Sequence, residues 1–66
     1  MNMSNDRIEA FEAMLEEIQS AIAIRQTEID KLKLQGKEKS ATFKQYLADK
    51  MLYQRMLSLY EKHGLL

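Results

Sequence analysis

Residues 8–32 read IEAFEAMLEEIQSAIAIRQTEIDKL, and the fold is decided there. Taken at alternating steps of three and four, the stretch gives Ile8, Phe11, Leu15, Ile18, Ile22, Arg25, Ile29 and Leu32. All but Arg25 are large and apolar, and the spacing does not slip. A helix with 3.6 residues per turn gathers such positions into one narrow stripe. A stripe confined to the first and fourth positions of each heptad is the seam of a coiled coil or helical bundle. This helix is built to lie along another helix.

On the N-terminal side, two starts compete. Ser4 as N-cap sets Met3 against Ile8 as a hydrophobic staple, and Asp6 as N-cap pairs with Glu9 in a capping box. On the C-terminal side, Lys31 and Lys33 suit the negative end of the helix dipole, and Gly36 is a natural left-handed terminator. The first helix therefore spans about residues 5–35, or ~45 Å at 1.5 Å per residue. Residues 36–39 form the turn, short enough to fold the chain into an antiparallel αα-hairpin.

Ser40 is the N-cap of a second helix over about residues 40–63, with Thr42 and Gln45 as a competing capping box. Gly64 ends it, and the chain contains no proline. Tyr46, Tyr53 and Tyr60 recur every seven residues, as do Leu52, Leu59 and Leu66. With Ala48, Met56 and Leu57 they make an apolar face around half the cylinder, wider than one partner helix covers. The fold class is all-α: a single-domain hairpin of two long helices, residues 1–66, pairing into a dimeric four-helix bundle. The interface between copies is assigned to Tyr46, Leu52, Tyr53, Met56, Leu59 and Tyr60.

Composition agrees with an obligate association. A chain of 66 residues buries only about 60% of its unfolded surface, and domains this small lean on disulfides, metals or oligomers. There is no cysteine and a single histidine, His63, so a thiolate or protein-only zinc site is not expected. No cofactor is expected. No run approaches the roughly 20 apolar residues of a membrane span, and the N-terminus lacks the pattern of a signal peptide, so a cytoplasmic protein without membrane contact is the expectation.

Formal net charge is zero, yet residues 1–30 hold two Lys/Arg against seven Asp/Glu, and residues 31–66 hold eight against three. Such a split fits two elements lying together with complementary charge. Five lysines, Lys31, Lys33, Lys37, Lys39 and Lys44, cluster around the turn. They are the candidate contact for nucleic acid, with no arginine, phosphate loop or reader motif beside them. The tyrosine row would serve as a base-stacking platform or, more simply, as bundle packing. Met14, Met51 and Met56 are adaptable gap fillers.

Glu12, Glu16 and Glu17 make a solvated helix face, and no nucleophile is spaced to work with His63. The chain reads as no enzyme. It reads as a homodimeric regulatory or interaction module with an unidentified protein partner. An RNA- or DNA-binding dimer and a non-catalytic subunit of a larger assembly are the alternatives.

Folding at the turn sets Leu32 opposite Phe43, Ile29 opposite Tyr46, Ile22 opposite Tyr53 and Leu15 opposite Tyr60. Ile18 falls opposite Met56 or Leu57. Arg25, the one charge in the first seam, then falls level with Asp49 or Lys50. Arg25 and Asp49 are expected to form a polar layer that sets the register.

Overall fold

The computed structural model describes the backbone of residues 3–66 and the side chains of residues 6–66. It is all-helical, with two helices packed against each other as a hairpin: α1, Met3–Leu34, and α2, Ala41–Lys62. α1 already contains Ser4 and Asp6, so neither is its N-cap. The proposed Met3 staple falls outside the described side chains.

Both helices end in the same way. Gly36 takes φ 69°, its N–H donates to Lys33 O at 3.0 Å, and Lys37 N–H donates to Leu32 O at 2.8 Å. Gly64 takes φ 71°, its N–H donates to Glu61 O at 3.0 Å, and Leu65 N–H donates to Tyr60 O at 2.8 Å. These paired bonds are the Schellman pattern, which consumes the last free carbonyls and needs a residue at ease with positive φ.

At the start of α2, Ser40 is extended (φ −71°, ψ 152°) and its Oγ accepts from Phe43 N–H at 3.1 Å. The same hydroxyl donates to Lys37 O at 2.8 Å, so one serine ties the cap to the turn. Gln45, the rival capping residue, instead donates its Nε2 to Asp49 Oδ1 at 2.8 Å.

The hairpin is long and thin, 51 × 24 × 15 Å. Its radius of gyration is 15.3 Å, against about 11 Å for a compact domain of this length. Among the described residues the buried apolar side chains are Ile18 and Ile29, at 4% and 2% exposure. Both belong to the seam read from residues 8–32. Phe11, Leu15, Ile22 and Leu32 of the same stripe are half-buried, whereas Ile8 is exposed near the open end. Two helices give each residue a partner on one side only. The seam is therefore a strip of contact and not an enclosed core.

Candidate functional site

The inward face of α2 is Phe43, Tyr46, Asp49, Lys50, Tyr53, Met56, Leu57 and Tyr60, all half-buried. The tyrosine row thus lies toward α1. Tyr60 meets Phe11 edge-on, with centroids 5.2 Å apart and planes at 74°. Quadrupolar rings favour that arrangement.

The register is marked by a polar layer about one-third of the way down from the turn. Arg25 Nε donates to Asp49 Oδ2 at 3.3 Å, and its Nη1 donates to Glu28 Oε1 at 3.0 Å. Its Cζ stands 4.5 Å from the centroid of the Tyr46 ring, close enough for a cation–π contact. The Glu28 carboxylate beside the Tyr46 hydroxyl raises that hydroxyl's pKa above its ordinary value, and Arg25 opposes the shift without cancelling it. On the other flank, Lys50 Nζ donates to Gln26 Oε1, and Gln26 Nε2 donates to Asp30 Oδ1 at 2.9 Å. The structure therefore brings Arg25 and Asp49 together. Lys50, the alternative partner for Arg25, pairs with Gln26 instead, and Gln26 and Glu28 join the layer without having been singled out. Their signal was positional: each lies within three residues of Arg25 or next to Asp49.

Leu52 and Leu59 point away from α1 and are 56% and 59% exposed. Met56 lies between them at helical spacing and is half-buried. On α1, Ala10, Met14, Glu17, Ala21 and Ile24 follow at steps of four and three, a second heptad stripe beside the first. Met14 and Ile24 are exposed.

Three hollows run in a row between these outer stripes. One of about 360 Å³ lies against Met56, Leu59, Tyr60, His63 and Leu65. A second, about 250 Å³, lies against Met14, Glu17, Ile18, Ala21, Tyr53 and Met56. The third, about 120 Å³, lies against Ala21, Ile24, Arg25 and Tyr53. Shared residues make them one shallow, mainly apolar trough on a single flank of the hairpin, with Glu17 and Arg25 on its wall. The outer stripe of α1 was legible as spacing, but the stronger inner seam drew the reading.

Lys31, Lys33, Lys37, Lys39 and Lys44 are all exposed around the turn. Among the described residues, no group of three or more His, Asp and Glu is placed to hold a metal ion, and no helix is long and apolar enough to cross a membrane.

No protein-family model, curated protein or solved structure matches the chain.

Proposed function

We propose that this chain is a non-catalytic interaction module of regulatory type whose working unit is a homodimeric four-helix bundle. The carrying observation is the second apolar stripe on each helix, with Leu52 and Leu59 more than half exposed on a flank that also carries Met14 and Ile24. Large apolar side chains in a contiguous, solvent-facing strip mark an interaction surface.

Area supports the same reading. The hairpin exposes 5376 Å², whereas a compact monomer of 7.8 kDa exposes about 4,400 Å². The surplus, roughly 1,000 Å², is close to the ~800 Å² that each partner buries in a standard interface. A second copy of the chain supplies a matching stripe of the same length.

Sedimentation equilibrium at micromolar concentration tests the reading. The expected mass is twice the chain mass of 7.8 kDa. A folded species at the single-chain mass would refute the dimer and leave the trough open to a helix from another protein.

A further inference from the structure

We infer that the two copies meet through the Met14–Ile24 and Leu52–Leu59 flank and run in opposite directions, with the lysine turn of each lying over the acidic open end of the other. The inference rests on the dimer reading above and adds a surface and a direction to it.

The surface follows from the difference between the two flanks. Around the seam, one side carries the apolar trough. The other carries Gln19, Gln26, Gln54 and Glu61, with Ile8 near the open end and Leu47 the exposed large apolar residues among them. The first has the larger and more continuous apolar area to bury against another copy, with Met14, Ile24, Leu52 and Leu59 all exposed.

The direction follows from symmetry and charge together. Two hairpins stacked face to face close by a two-fold axis that runs either along the hairpin or across it. An axis along the hairpin puts both turns at one end. An axis across it puts them at opposite ends.

Apolar matching permits both. The Arg25–Asp49 and Gln26–Lys50 pairs set a register that places the midpoint of Met14 and Ile24 level with the midpoint of Leu52 and Leu59. A crossing axis at that level seats Ile24 on the second copy's Met14 and Leu59 on its Leu52. An axis along the hairpin would instead lay one α1 stripe on the second copy's α2 stripe, with equal apolar contact.

Charge separates the two. The turn half, residues 19–52, holds seven Lys/Arg against four Asp/Glu, while the remaining residues hold three against six. The halves are therefore +3 and −3. Packed helices lie about 8–10 Å apart, and the Debye length at physiological salt is ~8 Å. Charges on stacked helices are thus incompletely screened. Turn over turn sets like charge on like at both ends. Turn over open end sets the lysine-rich half of each copy on the acidic half of the other, and repeats that pairing by symmetry.

A spin label at the tip reads the direction. The chain has no cysteine, and Lys37 is exposed in the turn, so Lys37→Cys gives a single label per chain. Pulsed electron–electron resonance on a sample of dimer mass should give a separation on the order of 50 Å, near the 51 Å length of the hairpin. A separation below about 25 Å, a few interhelix spacings, would overturn the opposed arrangement while leaving the dimer intact. A single-chain mass would overturn the dimer and this inference with it.

The surface is read separately. Leu52→Glu with Leu59→Glu should reduce association at least tenfold, with helical content by circular dichroism retained at high concentration. Gln19→Glu with Gln54→Glu adds the same charge on the polar flank and should leave association within about twofold. Equal losses from both pairs, or a loss only from the second, would overturn the assigned surface.

Discussion

Arg25 interrupts an otherwise apolar seam, and its surroundings show what the interruption does. The guanidinium is roughly a third exposed and reaches Asp49, Glu28 and the face of Tyr46. Partial exposure limits the gain, because water and salt screen such a pair and exposed ion pairs contribute about 0.2–1 kcal/mol. The penalty for misplacement is larger. A one-turn slip would take Arg25 away from Asp49 and leave that carboxylate without its guanidinium partner. The pair therefore selects one register more than it deepens it. A double-mutant cycle measures this. Arg25→Met and Asp49→Leu are each expected to lower unfolding free energy, and the double variant to recover part of the loss, with a coupling of about 1 kcal/mol. Additive losses would mean that the two residues do not act together, and the register would then rest on apolar packing alone.

The ends of the helices depend on very few atoms. Ser40 satisfies a free N–H of α2 and binds the turn carbonyl of Lys37, so Ser40→Ala should cost about 1 kcal/mol in thermal or denaturant unfolding. Gly36 has open space where a Cβ would sit, so Gly36→Ala tests backbone conformation alone. The expected loss is about 1–2 kcal/mol from the left-handed φ, and an unchanged stability would show that the turn relaxes to another shape. These features were readable because they are local: a serine three residues ahead of a free N–H, a glycine just past the last lysines. The start of α1 was not readable in that way. Ser4 and Asp6 both have capping chemistry, yet the helix runs through them. The seam partners were readable to within a turn. Heptad counting places Leu15 opposite Tyr60, whose ring neighbour is Phe11, one turn nearer the open end. The outer stripe was the larger omission. Ala10 and Ala21 are small and Glu17 is charged, which leaves Met14 and Ile24 to carry the periodicity, so it is weaker than that of the isoleucine seam.

The whole hairpin encloses little interior. Two side chains are buried among the described residues, and the surface exceeds that of a compact chain by about a quarter. If the second copy completes the core, folding and association are one equilibrium, and stability must depend on concentration. The size of the effect can be estimated. Tenfold in concentration is about 1.4 kcal/mol, and unfolding two chains of 66 residues releases roughly 0.28 kcal/mol per kelvin, so the midpoint of thermal unfolding should rise by about 5 °C per decade of concentration. The Leu52→Glu, Leu59→Glu variant should unfold at a lower temperature than the wild type at every concentration, since weaker association lowers the mass-action contribution. Calorimetry of both proteins from about 10 to 1,000 μM makes the comparison. A wild-type midpoint that does not move with concentration would show that the hairpin is stable alone, and Leu52 and Leu59 would then be a surface held open for something other than a second copy.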